Sequence, residues 1–210
     1  MTHPFKDYLV CRNNYLEDPD KIALLATGLD YSRSIYFPGL RTDNLFISKN
    51  LEIKKFANQF ADRLSVDVFP GISRFQIFLC FHINEENSDK NLNQGWIHND
   101  TGNLAGLIYL TKDESNFETG TSVFNGYGDE APADAEARRK FHIDKEITPE
   151  YIDGIERNRN FFTETIRIGN QYNRLLAYDA KMFHRPNSFS TAVNKPRLSL
   201  LFFITEFFYQ

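Results

Sequence analysis

The stretch Gly95-Trp96-Ile97-His98-Asn99-Asp100-Thr101-Gly102-Asn103 runs directly into Leu104-Ala105-Gly106-Leu107-Ile108-Tyr109-Leu110-Thr111. The second half reads as a buried strand, rich in branched and aromatic residues and closed by polar ones. The first half carries His98 and Asp100 at positions i and i+2. In extended chain such residues project to the same face, so an imidazole and a carboxylate can converge on one ion. Chance alone puts an H-x-D triplet in a chain of this composition about one time in three. A second, His142-Ile143-Asp144, indeed follows. Context separates the two. His142 follows Arg138-Arg139-Lys140-Phe141, which reads as a charged, exposed helix where i and i+2 point apart. His98 instead sits between glycines at the mouth of a strand.

Working outward, three more strands are expected. Arg74-Phe75-Gln76-Ile77-Phe78-Leu79-Cys80-Phe81 is one, Arg174-Leu175-Leu176-Ala177-Tyr178 another, and Arg197 to Tyr209 a long closing strand. Ile53, Phe56, Phe60 and Leu64 recur at helical spacing between Asn50 and Leu64. Asp18-Pro19-Asp20 opens a shorter helix, and Thr148-Pro149-Glu150 looks like a cap with proline in the first turn. Tyr36-Phe37-Pro38-Gly39-Leu40-Arg41 reads as a turn. Residues 126–159, with the run Asp134 to Lys140, read as a charged surface excursion bearing one or two helices. Helices first and strands after predict a mainly β, α+β domain built on an antiparallel sandwich or barrel.

Composition bounds the rest. At 210 residues the chain is expected to form a single domain with a full apolar core, needing no disulfide or metal to fold. Cys11 and Cys80 are far apart and are expected to be reduced, buried thiols of a cytoplasmic protein. No apolar run reaches 18 residues and the start lacks an apolar signal core, so neither a membrane span nor a secretory leader is expected. A net charge of −4 without a basic stripe argues against nucleic acid as the principal partner.

A further ligand and an anion partner lie towards the C-terminus. His184, in Met182-Phe183-His184-Arg185-Pro186, stands where a strand gives way to a turn. Arg197 opens the last strand. With a period of two, Arg197, Ser199, Leu201 and Phe203 share one face, and Leu198, Leu200 and Phe202 the other. An arginine and a serine entering an apolar strand are costly unless something polar meets them, and a carboxylate fits the guanidinium fork best. Both histidines also have bland readings, as does a strand-end arginine that reaches solvent.

Two histidines and one carboxylate with open positions make the facial triad of non-haem Fe(II) oxygenases. The segment from about Ile72 to Phe208 resembles the 2-oxoglutarate/Fe(II)-dependent dioxygenase superfamily, most closely its prolyl-4-hydroxylase-like branch. Leu107-Ile108-Tyr109-Leu110-Thr111 is similar to that branch's Tyr-Leu-Asn strand. Thr119-Gly120-Thr121-Ser122-Val123-Phe124 looks like a degenerate form of its Gly-Gly-Glu-Thr-x-Phe turn, and Gly169 to Tyr178 occupies the place of its glycine-led strand. The resemblance implies a double-stranded β-helix, or jelly-roll, over residues 72–208, with residues 1–70 as helical support and 126–159 as an insertion. It implies that His98, Asp100 and His184 ligate iron. Arg197 would hold the distal carboxylate of 2-oxoglutarate, assisted by Ser199 and Tyr109. The implied reaction consumes O2, with ascorbate as a possible reductant, hydroxylates a protein side chain or small molecule, and releases succinate and CO2. Two other readings compete: a cupin-like or jelly-roll binding module without chemistry, and a metal-dependent hydrolase using His98 and Asp100. Substrate identity and oligomeric state are written in no motif.

Overall fold

A computed structural model describes residues 5–72, 74–87, 92–112, 116–127, 135–190 and 196–208. Asp134, Tyr209, residues 88–91 of the loop before the triplet and residues 128–134 of the excursion lie outside this set. Among the described residues there are ten strands and four α-helices. β1 (Leu9–Arg12), α1 (Pro19–Thr27), β2 (Ser32–Ser34), β3 (Phe37–Arg41) and α2 (Leu51–Asp67) form the first third. β4 (Arg74–Asn84), β5 (Leu104–Tyr109) and β6 (Asn116–Tyr127) follow. Next come α3 (Ala135–Arg139), a π-helical turn over Lys140–Asp144, and α4 (Pro149–Phe161). β7 (Glu164–Asn170), β8 (Leu175–Asp179), β9 (Met182–Pro186) and β10 (Arg197–Phe208) close the chain.

The strands form two antiparallel sheets. The larger has the order β1-β8-β5-β10-β4-β3-β2, the smaller β7-β6-β9. β10 lies between β4 and β5, with Ser199 opposite both His82 and Tyr109. The two-residue period then sorts its side chains. Leu200, Phe202 and Ile204 join a core with Ile53, Ala57, Phe60 and Leu64 of α2 and with Leu79 and Phe81 of β4. Leu201 and Phe203 turn the other way, packing on Ala105, Leu107, Tyr109, Val123, Ile168 and Tyr178 between the sheets. The register of β10 shifts between Ile204 and Glu206, beyond that apolar set. The architecture is thus a mainly β, antiparallel jelly-roll-like sandwich. Burying the α2 face removes a complete stripe of large side chains from water, each contributing about 1.5–3 kcal/mol.

Local chemistry explains the helix starts. The Asp18 carboxylate accepts from the Lys21 N–H (2.9 Å). The Asn50 side chain accepts from Glu52 and Ile53, and the Thr148 hydroxyl from Tyr151. Each answers a backbone donor that the first turn leaves without a partner.

Four sequence readings are corrected. Phe37–Arg41 is a strand rather than a turn, paired through Leu40 with Ile83 and Arg41 with His82. Gly39 adopts φ +76° and passes so close to Ile83 that an added Cβ would lie 2.1 Å from its carbonyl oxygen, so the Pro-Gly pair makes an irregular strand without reversing the chain. Thr119–Phe124 lies within β6 rather than in a turn, because Thr121, Ser122 and Val123 pair on both sides, with β7 and with β9. His142 is buried rather than exposed. Its neighbour Phe141 stacks on Tyr151 (4.2 Å, 17°), and its Nδ1 lies 3.2 Å from the Ile35 carbonyl oxygen. Cys80 is buried as expected, but Cys11 is exposed on the edge strand β1.

Candidate metal centre

His98 and His184 are brought together by backbone. They form an isolated antiparallel bridge in which the His98 N–H donates to the His184 carbonyl (3.0 Å) and the His184 N–H to the His98 carbonyl (2.8 Å). Directly opposed residues of this kind present their side chains on one face. The imidazoles accordingly lie 4.5 Å apart between centroids. His184 is mid-strand in β9 rather than at a strand end. Asp100 is pinned by its N–H to the Ala180 carbonyl (2.8 Å). His98 Nε2 then lies 3.9 Å from one Asp100 oxygen and His184 Nε2 3.3 Å from the other. One donor atom from each of the three residues falls within 4.8 Å of the others.

The other ring nitrogens decide what those atoms can be. His98 Nδ1 lies 2.7 Å from the Trp96 carbonyl oxygen and His184 Nδ1 2.9 Å from that of Met182. A carbonyl oxygen only accepts, so each Nδ1 carries the proton, and in the neutral ring Nε2 presents a bare lone pair. Such carbonyl contacts fix tautomer and ring orientation in metal-binding histidines. Two imidazole lone pairs and a carboxylate facing one point suit a divalent cation. Burial pushes the Asp100 carboxyl up, but the Arg41 guanidinium and, whenever the rings are protonated in place of binding a metal, His184 and His98 pull it down further, leaving it below the ordinary carboxylate range.

The chain before His98 is held from outside. Asn158 of α4 accepts from the Ile97 N–H (2.8 Å) and donates to the Ile97 carbonyl (2.9 Å), a two-point clamp in a buried setting. Trp96 packs edge-on against Tyr151, and Gly154 leaves room for its ring, since an added Cβ would lie 2.9 Å from it. The sequence reading missed Asn158. Its signal is helical phase, because Tyr151, Ile155 and Asn158 share one stripe of α4.

Arg197, Ser199 and Tyr109 also meet. Arg197 is buried, its Cζ 5.1 Å from the Tyr109 ring centroid and its Nη1 donating to the Ser188 carbonyl (2.8 Å). The Tyr109 hydroxyl and Thr121 Oγ1 are 2.7 Å apart. Burial pushes the Tyr109 hydroxyl up, so it stays protonated at neutral pH. Arg197, Ser199, Thr121 and the triad line one cavity of about 690 Å³, walled by Phe37, Phe78, Trp96, Tyr178, Phe189 and Phe203, and Tyr109 reaches it through its contacts with Thr121 and Arg197. A second sequence triplet is not assembled: Asp144 is exposed and meets Arg139 (3.5 Å), leaving His142 without it.

No protein-family model and no curated protein matches the chain. Solved structures do. HygX from Streptomyces hygroscopicus, solved with nickel, 2-oxoglutarate and hygromycin B bound, superposes with a TM-score of 0.58 at 12% identity, over 96% of this chain and 84% of that one. The non-heme α-ketoglutarate-dependent epimerase SnoN from nogalamycin biosynthesis gives 0.56 at 14% identity, over 94% and 78%. AviO1 from Streptomyces viridochromogenes Tue57 gives 0.53 at 13%, over 95% and 90%. Likeness at this identity carries architecture and nothing finer: the chain has the fold of the 2-oxoglutarate/Fe-dependent oxygenases.

Proposed function

We propose that the chain is a single-domain Fe(II)- and 2-oxoglutarate-dependent oxygenase acting on a small molecule, with residues 1–70 as helical support, a jelly-roll core over 72–208 and an insertion at 126–159. His98, Asp100 and His184 hold the metal, and Arg197, with Ser199 and Tyr109, holds the distal carboxylate of 2-oxoglutarate. The observation that carries this reading is the convergence of two Nε2 lone pairs on one carboxylate, with both Nδ1 protons committed to backbone carbonyls. Bound Fe(II) and 2-oxoglutarate would supply an oxidant made from O2, with release of succinate and CO2 and with ascorbate as a possible reductant; the finer assignment is hydroxylation of a C–H bond.

The chain's own residues would do four things. The β-bridge and the Asn158 clamp hold the ligands before anything binds, so little reorganisation is needed. Arg197 offers a permanently protonated fork to a carboxylate in a dry setting. Tyr109 stays protonated and can donate to the same group. The aromatic walls exclude water and present few polar groups near the oxidised position. A cavity of about 690 Å³ suits a small molecule, and a cytoplasmic location accords with the two unpaired cysteines. Among the described residues no helix is long and apolar enough to cross a membrane.

The test is anaerobic addition of Fe(II) and 2-oxoglutarate, followed by the visible metal-to-ligand charge-transfer band. Wild type is expected to develop it and His98→Ala to lack it. A silent wild type, or a band that survives His98→Ala, refutes the assignment.

A further inference from the structure

The cavity holds a second guanidinium that the reaction above does not use. Arg41 pairs with His82, His82 pairs with Ser199, and Ser199 pairs with Tyr109, so the four form one transverse row on the inner face of the larger sheet. The Arg41 Cζ lies 4.0 Å from the Phe37 ring centroid and 5.6 Å from that of Phe203. Stacked in this way, a guanidinium keeps its N–H edge available for a planar acceptor. Among the described residues no hydrogen bond or ion pair reaches that edge, and Nε is shut off from solvent with no acceptor.

Of the groups that act on Arg41, only Asp100 is a carboxylate. Burial pushes the Cys80 thiol up to about 11 and holds the Tyr178 hydroxyl protonated. His82 is kept neutral by burial first and by the charge of Arg41 second. Asp100 contributes at a distance, but its two oxygens are turned to His98 and His184. A half-buried cation with no direct partner is costly, and such groups persist where a ligand supplies the missing acceptor.

Resting on the oxygenase reading above, we propose that Arg41 receives a carboxylate or phosphate of the small-molecule substrate, whose apolar body lies against Phe37, Phe78 and Phe203. This position is distinct from the one given to 2-oxoglutarate. The backbones of β3 and β10 are separated by β4, which puts them about 10 Å apart across the sheet. The Arg197 fork is turned to Ser188 and Tyr109, whereas Arg41, two strands away on the same sheet, is stacked on Phe37. A cavity of about 690 Å³ has room for both molecules, since pockets of about 300–1,000 Å³ enclose drug-sized ligands.

The experiment is calorimetric and needs no knowledge of the substrate. Protein loaded with Mn(II) is first titrated with 2-oxoglutarate. The complex is then titrated with 3-phenylpropionate, 3-phenylpropyl phosphate and the neutral 3-phenylpropanamide. Wild type is expected to bind one of the anions at least tenfold more tightly than the amide, and which anion is preferred distinguishes carboxylate from phosphate. Arg41→Met is expected to erase that preference while 2-oxoglutarate affinity stays within about twofold. Arg41→Gln, which keeps a polar side chain over Phe37, repeats the loss if the methionine variant does not fold. A wild type without anion preference, or variants that keep it, overturns the proposal. So does a loss of 2-oxoglutarate binding in the Arg41 variants, which would make Arg41 the cosubstrate's anchor. Failure of wild type to bind 2-oxoglutarate at all is seen before any probe is added and strikes the underlying oxygenase reading instead.

Discussion

Replacing Asn158 with alanine tests how the metal centre is supported. The side chain touches neither the triad nor the cavity wall, yet it satisfies both the N–H and the C=O of Ile97, the residue before His98. Alanine leaves both groups buried without partners. Each such orphan costs about 1–3 kcal/mol, so the variant should lose about 2–6 kcal/mol unless the segment moves to reach water. Even the lower figure corresponds to a fall in Tm of about 4–8 °C for a chain of this size. Movement is the alternative outcome, and it shifts His98 away from Asp100. Loss of such outer support typically weakens metal binding about 10- to 100-fold. The assay pairs thermal unfolding of the metal-free protein with calorimetric titration of Mn(II). Asn158→Asp keeps an acceptor for the Ile97 N–H but sets an oxygen against the Ile97 carbonyl, and it should behave no better than alanine. An alanine variant that melts within 1–2 °C of wild type and binds Mn(II) equally well refutes the clamp.

Three further outcomes are expected. Arg197→Met should weaken 2-oxoglutarate binding about 10- to 100-fold with little change in Mn(II) affinity, because a charge-assisted hydrogen bond contributes about 1.5–3 kcal/mol; equal loss for both ligands in titrations would refute its role as an anion anchor. His82 is held neutral in the fold, chiefly by burial, so its folded pKa lies below that of the unfolded chain. The unfolded state therefore binds the extra proton as pH falls below about 6.5, and stability declines there by at most about 1.4 kcal/mol per pH unit. Urea denaturation from pH 7 to pH 5 should show that slope, and His82→Gln should flatten its His82 share; identical slopes would exclude His82 as its source. Gly106→Ala should lower Tm by several degrees, because its Cβ would lie 2.3 Å from the Leu176 carbonyl oxygen and 2.3 Å from the Phe202 ring, an overpacking worth about 1–3 kcal/mol. An unchanged melting curve would mean that the central strands yield more readily than their pairing implies.

What could be read from the chain alone follows from where periodicity is strong. Ile53, Phe56, Phe60 and Leu64 keep a helical beat, and Arg197 to Phe203 alternate cleanly, so α2 and the two faces of β10 were legible. The H-x-D pair was legible because extended backbone makes i and i+2 neighbours. β4, β5 and β8 were legible too, from their apolar and aromatic runs, whereas β3 and β6 were hidden by local chemistry that mimics something else. Pro38-Gly39 imitates a reversal, and the Thr and Ser content of β6 imitates a loop, although tertiary pairing makes strands of both. Within an apparent turn, Arg41 has no sheet face to belong to. His142 was misplaced because its charged neighbours say nothing of the Phe141–Tyr151 stack that draws it inward. Asn158 sits among Arg157, Arg159 and Asn160, where only the phase of the helix distinguishes it.

The irregularity in β10 has a consequence for how this chain can change in length. Sidedness along a strand is a matter of parity, and one residue added or removed exchanges odd for even. An indel between Arg197 and Ile204 would send the guanidinium and hydroxyl towards α2 and thrust Leu198 and Leu200 into the cavity. The offset between Ile204 and Glu206 lies downstream of Arg197, Ser199, Leu201 and Phe203, the alternating residues that face the pocket, and only Thr205 of the lining falls within it. The eight residues before the offset must therefore be inherited as an uninterrupted block, whereas the stretch beyond it is tied down by packing, with Phe207 set against Phe5 and Phe69, rather than by parity towards the pocket.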